Sequence, residues 1–583
     1  MRNIFLSKSL HHLSVLNYNL MKHVLQPLLQ QALAAIGIAA DQMPAIALEV
    51  PRQAEHGDLS TNVAMTLAKT LKKPPRQVAQ DIVAALDTVN LDRTLIPRVE
   101  IAGAGFINFG FSERFYALQL AELLALGDDL GRNKRGAGVR VNVEYVSANP
   151  TGLLHLGHGR NAALGDTIAN ILAWNGYDVT REYYFNNAGN QMNNLGISVH
   201  KRYLELLDPV AHRFPTTEED HSLYQGEYIR EIAAELHTRY GNALAEPSEE
   251  HLTICRKAGE HWCFNAINAT MKRMNIHHDV LFNEDTLYTD GKVEQTIEEL
   301  RSRGVVYEKD GATWLKLSAM GLQEDRVIVK SSGEPTYRLP DIAYHYDKLH
   351  NRKFDMVVDV FGADHIATIP DVMAAVQTLG EDTSKIRVVI YQFVTLTHNG
   401  EVVKMSKRTG RGYTLDDLIE EFGADVTRFF FIMRSTGTHL EFDIGLAQEQ
   451  SEKNPVFYLQ YAYARICSIL RTAEERGVSV GVHPTTPQNA PLHLLTHPSE
   501  MELIKILLRF PDVVERAGDS LEPHSIAEYL REAAAAFHKF YHDCRILGEA
   551  EDLMNARFAL ARAAQIVMRN GLVILGISTP EKM

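Results

Sequence analysis

The sequence predicts an α/β protein: a doubly wound parallel sheet, preceded by a small α+β domain and followed by an all-α helical bundle. Residues 139–146 alternate apolar and polar side chains, which is typical of a strand. From Gly157 the apolar spacing becomes helical and ends at Asn175-Gly176. A strand passing into a helix is the unit of an α/β sheet. Beyond about residue 455 the apolar spacing is helical throughout.

The N-terminal part of the chain mixes helix and strand patterns. The predicted elements are a helix over about 21–36, a strand over 45–50, a helix from Asp58 or Ser60 to Lys72, a helix from Pro74-Pro75 to Leu86, and paired strands over 99–111. A linker helix and a basic, glycine-containing segment follow, and we expect the parallel sheet to start at about residue 138.

A His-x-Gly-His string lies between the predicted strand and the long helix. His155 and His158 are three residues apart, so both can lie on one side of the first helical turn. Free N–H groups and the helix dipole favour an anion there. Each preorganised donor aimed at a phosphate can lower the barrier by about 3–4 kcal/mol. The chain has 25 histidines, so chance is the alternative, and a zinc site lacks further ligands nearby.

A second string, Lys404-Met405-Ser406-Lys407, follows an apolar run of strand type at 388–397. Its two lysines are flexible point charges that suit the β- and γ-phosphates of ATP. A mobile cationic flap is useful because the charge is wanted only in the transition state. Alone, the string indicates a solvated loop. Together with the two histidines it predicts a device that stabilises the triphosphate of ATP while a carboxylate attacks the α-phosphorus.

The two strings in this order resemble the HIGH and KMSKS motifs of class I aminoacyl-tRNA synthetases. The chain from about residue 21 onward is similar to the arginyl-tRNA synthetase family, most specifically over 143–151, 181–192, 404–410, 458–470, 537–544 and 572–583. The resemblance implies a Rossmann-like catalytic domain. It assigns catalytic roles to His155, His158, Lys404 and Lys407, and ATP contacts to Leu156, Gly157, Met405, Ser406, Asp364 and His365.

A pocket selective for arginine needs carboxylates placed for bidentate pairing with the guanidinium, together with a flat or hydroxylated partner. Near the motifs, Glu144, Tyr337 and Asp341 are the candidates. The resemblance implies that Tyr337 and Asp341 bind the guanidinium, and that Ser147 and Asn149 lie near the α-amino group with His158 close by. For Asp341 the alternative is a helix N-cap. Asp355 and Asp359 are predicted to cap or flank the strand over 354–362.

The domain organisation that the resemblance implies has six parts. They are an extension over 1–20, a tRNA-contacting α+β domain over 21–112, a linker helix over 113–137, a class I catalytic domain over 138–412 with insertions around 198–330, stem-contact helices over 413–454, and a helical anticodon-binding domain over 455–583. The extension has two basic and no acidic residues, and we expect disorder or a loose helix. A targeting role is the alternative.

The expected reaction is ATP-dependent formation of arginyl-adenylate and transfer of the arginyl group to the terminal ribose of tRNA(Arg). Mg²⁺ accompanies ATP, and no structural metal is expected because the four cysteines lack metal-ligand spacing. We expect a cytoplasmic monomer without a membrane segment. Because the net charge is −14, we expect RNA to bind at a local basic patch. Alternatives are another class I specificity, an HxGH-type nucleotidyltransferase, and an RNA-binding factor that has lost catalysis.

Overall fold

The computed structural model describes residues 22–51, 53–187, 189–398, 400–403, 413–475 and 490–583. Its N-terminal part contains α1 (Lys22–Ala35), β1 (Leu59–Thr61), α2 (Val63–Leu71), α3 (Pro75–Thr88), β2 (Arg98–Ala102), β3 (Phe106–Gly110) and α4 (Glu113–Leu126). The three strands form an antiparallel sheet in the order β1-β3-β2. The predicted hairpin over 99–111 is therefore confirmed. The predicted extension over 1–20 lies outside the described residues, which begin at residue 22.

Two predictions in this part of the chain were wrong. Residues 45–50 form no strand beyond an isolated bridge between Glu49 and Ser60. The predicted helix start at Asp58 or Ser60 is strand β1 instead, and α2 begins only after Asn62. Pairing of β1 with β3 outweighs the local helix pattern because it satisfies backbone groups that would otherwise be buried unpaired.

A five-stranded parallel sheet forms the centre of the protein. Its strands are β4 (Arg140–Glu144), β5 (Asp178–Phe185), β6 (Val280–Asn283), β10 (Met356–Gly362) and β11 (Ile386–Tyr391). They lie in the order β11-β10-β4-β5-β6, so the chain winds outward from β4 in both directions. This confirms the predicted doubly wound fold. Ligands bind where the strand order reverses, which here is the carboxyl edge between β4 and β10.

The helix predicted after β4 is confirmed as α5 (Leu156–Trp174), with Asn175 as its C-cap. It packs directly on the sheet, since a Cβ at Gly165 would lie 2.1 Å from the Cβ of Tyr145. Asn161 on α5 joins the two central strands: its Oδ1 accepts from the Val146 N–H at 2.6 Å, and its Nδ2 donates to the Val360 carbonyl at 2.8 Å. The first turn of α5 is thereby fixed over the carboxyl edge of the sheet.

Two insertions extend the sheet domain. The first, between β5 and β6, is a three-helix unit of α6 (Asn190–Leu207), α7 (Glu227–Tyr240) and α8 (Glu249–Arg273) with its own apolar core. The second, between β6 and β10, consists of α9 (Asp285–Thr289), α10 (Lys292–Ser302), β7 (Val306–Lys309), β8 (Ala312–Leu315), β9 (Arg326–Val329) and α11 (Arg338–Tyr346). Strands β7, β8 and β9 form an antiparallel sheet.

The apolar run over 388–397, predicted as one strand, is broken into two. Strand β11 ends at Tyr391 in the central sheet, and β12 (Val394–His398) begins a separate sheet with β13 (Glu401–Val402) and β14 (Leu440–Asp443). The break is tertiary in origin, because the Gln392 carbonyl accepts from Arg160 and the Gln392 N–H donates to the Thr436 carbonyl. The helices around these segments are α12 (Ile369–Thr378), α13 (Leu415–Phe422), α14 (Ala424–Ile432) and α15 (Ile444–Gln448).

The C-terminal part is helical, as predicted. It contains α16 (Pro455–Glu475), α17 (Pro498–Leu507), α18 (Phe510–Ser520), α19 (His524–Asp543) and α20 (Glu551–Leu575). By length and composition α20 could span a membrane, but 78% of its apolar window is buried in the protein, which is normal for the core helix of a bundle. Phe537 and Phe540 are also buried, so core packing accounts for these aromatic side chains.

Candidate active site

The two histidines of the HLGH string form a reciprocal cap at the start of α5. The Gly157 N–H donates to Nδ1 of His155 at 3.1 Å, and the His155 N–H donates to Nδ1 of His158 at 3.3 Å. The two rings stack with centroids 3.7 Å apart. A Cβ at Gly157 would lie 3.1 Å from Cε1 of His155, so any larger residue here would crowd the imidazole.

This cap sets the tautomer of both imidazoles. Because each Nδ1 accepts a backbone hydrogen bond, each neutral ring carries its proton on Nε2. Burial lowers the pKa of His158 to about 3, with a further contribution from His155, and burial lowers the pKa of His155 as well. At neutral pH both rings are therefore uncharged and offer an Nε2–H donor beyond the helix N-terminus. Such donors can hydrogen-bond an anion without first taking up a proton.

A cavity of about 370 Å³ opens beside these histidines. It is lined by His155, Leu156, Gly157, Phe393, Val394, Leu396, Val403 and Tyr413. Val403 and Tyr413 border residues 404–412, which carry Lys404, Met405, Ser406 and Lys407 and lie outside the described residues. Behind Tyr413, the Leu415 N–H donates to the Leu154 carbonyl at 2.8 Å. The described residues on both sides of the lysine string therefore line the same cavity as His155, and the role of the lysines stays a prediction.

The turn after β4 holds a strained backbone at the carboxyl edge of the sheet. Val146 has φ +69° and Ser147 has φ +40°, and positive φ is rare for residues other than glycine, above all for a β-branched one. Ser147 is fixed on both sides: its Oγ donates to Oε1 of Glu144 at 2.9 Å and accepts from the Tyr184 N–H at 3.1 Å. Asn149 follows, and its Nδ2 donates to Oε1 of Gln191 at 2.6 Å.

Beneath this turn lies a buried ionic network. Nζ of Lys348 donates to Oε2 of Glu144 at 2.6 Å and to Oδ1 of Asp359 at 2.9 Å, and none of the three side chains is more than 4% exposed. Asp359 was predicted to cap or flank its strand, but it lies within β10, and only Asp355 flanks that strand by accepting from the Arg140 N–H. Burial opposes the charge on Lys348, but the two carboxylates prevail and raise its pKa.

His345 completes this network. Its Nδ1 lies 2.7 Å from the Asp341 carbonyl oxygen, and its Nε2 lies 3.1 Å from Oδ2 of Asp359. Both partners are acceptors, so the fully bonded ring carries two N–H donors and a positive charge. Burial opposes this charge, but Asp359 outweighs it and raises the pKa of His345. Lys348 therefore pairs with both Glu144 and Asp359, and His345 adds a second contact to Asp359.

Asp341 and Glu284 are two further carboxylates close to this network. Burial raises the pKa of Asp341 to about 6, with Glu144 and Asp359 adding to the shift. Burial, followed by repulsion from Asp341, raises the pKa of Glu284 to about 7. Glu284 is 5% exposed, and its Oε2 lacks a hydrogen-bond partner among the described residues. Glu284 is buried and Asp341 is half-buried. Neighbouring carboxylates in such a place repel one another, and a cationic ligand relieves that repulsion.

The surroundings of this carboxylate pair are aromatic. Burial raises the pKa values of Tyr184 and Tyr288, and the nearby charges of Glu284 and Asp341 raise them further. Asp341 is not the N-cap of α11, because that position is held by Tyr337 and Asp341 lies in the first turn. The N-cap alternative was therefore wrong.

The other predicted residues are more open. The Tyr337 side chain is exposed, next to α11. Asp364 and His365 lie in a 3₁₀ turn directly after β10, with exposed side chains and an Nε2–Oδ2 distance of 3.8 Å. The ring of His365 stacks on Phe361 at 5.1 Å. These residues border the same edge of the sheet, where a ligand can reach them.

The sequence reasoning missed four residues of this region: Arg160, Glu284, Lys348 and Phe393. Arg160 comes two residues after the histidine string. Glu284 directly follows β6, so its position at a strand end was a signal. Lys348 stands in a helical run with nothing to mark it as buried. Within the described ranges, no group of three or more His, Cys, Asp or Glu side chains could hold a metal ion.

Comparison with known families gives three matches along the chain. Residues 23–111 match the arginyl-tRNA synthetase N-terminal domain, residues 119–429 match the catalytic domain of class I tRNA synthetases (R), and residues 459–583 match the DALR anticodon-binding domain. Among curated proteins, the chain is 50% identical to the arginine–tRNA ligase of Salinibacter ruber over 97% of this chain and all of that protein. The corresponding ligase of Chlorobaculum tepidum is 47% identical over 96% of this chain and 99% of that protein.

Solved structures agree with this relationship. An arginyl-tRNA synthetase of Campylobacter jejuni, described as putative, superposes with a TM-score of 0.72 at 30% identity, covering 81% of this chain and all of that one. The arginyl-tRNA synthetase of Thermus thermophilus superposes with a TM-score of 0.73 over 96% of this chain and all of that one; at 23% identity this supports the fold alone. By its sequence similarity over nearly its whole length, the chain belongs to the arginyl-tRNA synthetase family of class I aminoacyl-tRNA synthetases.

Proposed function

We propose that this protein activates L-arginine with ATP and transfers the arginyl group to the 3′-terminal ribose of tRNA(Arg). One observation carries the proposal: the histidine cap and the carboxylates of Asp341 and Glu284, whose pKa values are both raised, lie at the same edge of one sheet. The cap favours an anion, and the carboxylate pair favours a cation. An amino acid with a cationic side chain, joined to a nucleotide phosphate, satisfies both.

In the first step, an oxygen of the arginine carboxylate attacks the α-phosphorus of ATP. The bond between the α-phosphorus and the bridging oxygen breaks, and pyrophosphate leaves with the bonding electrons. No side chain need act as nucleophile, since positioning and charge stabilisation supply the acceleration. The Nε2–H groups of His155 and His158 stabilise the developing charge, and we assign the same role to Lys404 and Lys407. Mg²⁺ accompanies the triphosphate, bound mainly by phosphate oxygens and water.

Arginine is selected by Asp341 and Glu284, which pair with its guanidinium fork. Glu144 is held by Lys348 and Ser147, so we place it beside the substrate's α-amino group rather than on the guanidinium. Ser147 and Asn149 share that end of the site. The exposed Tyr337 covers the guanidinium once the substrate is bound.

In the second step, a terminal ribose hydroxyl of the tRNA attacks the carbonyl carbon of arginyl-adenylate. AMP leaves, and the hydroxyl proton is lost to the leaving phosphate or to water. We propose that the protein works as a monomer in the cytoplasm. The four cysteines support a reducing compartment, because all are free and buried.

The test is an aminoacylation screen of the purified protein with total tRNA and each of the twenty amino acids. We expect charging with arginine alone. Charging with a different amino acid would indicate another class I specificity. Nucleotide transfer to a small molecule without any RNA would indicate an HxGH-type nucleotidyltransferase, against which the helical domain after residue 455 argues.

Replacing either active-site histidine with alanine should lower kcat without unfolding the protein. For His158→Ala we expect a drop of about 10²–10³-fold, because one preorganised donor to the developing charge is lost. His158→Gln keeps an N–H donor and should lose less. The exposed His221 serves as the control, and His221→Ala should leave kcat unchanged. An unaltered kcat in both His155→Ala and His158→Ala would remove these residues from the mechanism.

The KM for arginine should fall as the pH rises from about 5.5 to about 7.5 and then level off. The pKa values of Asp341 and Glu284 in the free site are about 6 and about 7, so below these values the pair carries protons. A guanidinium binds the ionised pair and expels those protons, so binding tightens with rising pH. Calorimetry in buffers of different ionisation enthalpy measures the protons released. In Glu284→Gln the release near pH 7 should be lost.

A further inference from the structure

Arg160 joins the first turns of α5 to two distant loops. It follows the histidine string by two residues and is completely buried. Its Nη1 donates to the carbonyls of Gln392 at 2.6 Å and Thr438 at 3.0 Å, and its Nη2 donates to the Ser435 carbonyl at 3.1 Å. Burial lowers the pKa of Arg160 to about 10, which leaves the guanidinium charged at neutral pH. A charged donor with three carbonyl partners holds these segments rigidly.

The loop after β11 forms one side of the nucleotide cavity, and the loop over 435–440 lies behind it. Phe393 and Val394 line the cavity directly. The segment before them is fixed by the bond from the Gln392 N–H to the Thr436 carbonyl at 3.1 Å, and the Phe393 carbonyl accepts from the Leu440 N–H at 3.1 Å. Residues 435–440 therefore support the cavity wall from behind.

Glu522 holds this supporting loop from the helical domain, where it lies between α18 and α19. Its Oε1 accepts from Oγ1 of Thr436 at 3.3 Å and from Oγ of Ser435 at 3.4 Å, and its Oε2 accepts from the Thr436 N–H at 3.4 Å. His524 fixes the carboxylate by donating from Nδ1 to Oε2 at 2.9 Å. The negative charge of Glu522 also raises the pKa of Arg160, against the effect of burial.

These contacts form one continuous path from the helical domain to the first turns of α5. It runs from Glu522 through Thr436 to the Gln392 segment and, in parallel, through Ser435 to Arg160. We propose that Glu522 is a positioning residue for ATP, acting through Thr436 and Arg160 on the Phe393 wall of the cavity. The inference rests on the proposed function, because it takes this cavity to be the nucleotide site.

The test compares Glu522→Ala, Glu522→Gln and Thr436→Val with the wild type. For Glu522→Ala we expect the KM and the Kd for ATP to rise about 2- to 30-fold, the range of residues that act through a contact network. The KM for arginine should stay within a factor of about two. Glu522→Gln keeps one oxygen acceptor and should give a smaller rise.

The Thr436→Val variant removes only the Oγ1 contact with Glu522, so it should raise the KM for ATP less than Glu522→Ala does. The double variant should be no worse than Glu522→Ala, because both changes act on the same link. A matched control is Glu515→Ala, which breaks another contact of the helical domain, the 2.6 Å pair with Arg135, on no path to the cavity. Its KM for ATP should be unchanged.

The proposal is overturned if folded Glu522→Ala binds ATP as tightly as the wild type does. It is also overturned if the KM for arginine rises as much as the KM for ATP, or if Glu515→Ala raises the KM for ATP as much as Glu522→Ala does. If Glu522→Ala does not fold, Glu522→Gln and Thr436→Val decide by the same criteria. Failure of the proposed function appears separately, as a wild type that charges no tRNA. Calorimetric Kd values for ATP test the positioning role without requiring catalysis.

Discussion

Replacing Asp341 with asparagine should lower kcat/KM for arginine by about 10⁴-fold, the loss typical of a site built to bond a polar group that then goes unpaired. Asparagine keeps the shape of the side chain but removes the charge and replaces one acceptor oxygen with a donor. The guanidinium then faces an N–H group where it needs an acceptor. Glu284 remains as one anion, so binding is weakened rather than abolished.

The measurement is steady-state aminoacylation, with ATP and arginine varied separately. Most of the loss should appear with arginine, while the KM for ATP changes little. Citrulline, the neutral isostere of arginine, provides a second readout, because Asp341→Asn should narrow the preference for arginine over citrulline. The control is Asp355→Asn. Asp355 lies just before β10, at the end of the strand away from the carboxyl edge of the sheet, and its carboxylate accepts from the Arg140 N–H. An arginine preference unchanged by Asp341→Asn excludes this residue from the pocket.

Replacing Lys348 with methionine should destabilise the protein by about 3–5 kcal/mol, because it leaves buried carboxylates without their cation. Lys348 and Asp359 are fully buried and Glu144 nearly so. Methionine fills a similar volume, so the loss reports the charge rather than a cavity. Pairing with Lys348 and His345 keeps the pKa of Asp359 well below its usual range despite burial, and part of that support disappears with the lysine.

The first thermal transition in calorimetry measures this effect, since a chain of several domains need not unfold in one step. Lys330→Met is the matched control: it breaks the exposed pair with Glu334 and should cost less than about 1 kcal/mol. The triple variant Lys348→Met, Glu144→Gln and Asp359→Asn should recover much of the loss, because a neutral network needs no cation. If Lys348→Met were as stable as Lys330→Met, the role of this network would be contradicted.

The sequence was sufficient to predict those elements that depend on a local pattern of residues. The apolar spacing that begins at Gly157 predicted α5, and the position of His155 and His158 at its start followed from strand and helix periodicity alone. Helix α5 and its start depend on residues within a few turns of one another. Asp341 and Tyr337 were named as guanidinium partners from the chemistry of a guanidinium and from family resemblance, and that role stays a prediction.

Contacts between residues far apart in the chain decided the features that the sequence did not predict. Residues 59–61 became a strand because β3 offered backbone partners, and the apolar run over 388–397 broke because Arg160 and Thr436 hold Gln392. Lys348 looks like an ordinary helical lysine until folding buries it between Glu144 and Asp359.

The amino-acid sequence by itself determined which chemical groups the protein has and the local elements that carry them. Tertiary structure alone decided which carboxylates are neutralised and which remain free, setting Glu284 beside Asp341 while Lys348 compensates Glu144. The physical reason is that the energy of a buried charge depends on neighbours within a few ångströms, and those neighbours come from strands and helices far apart in the chain.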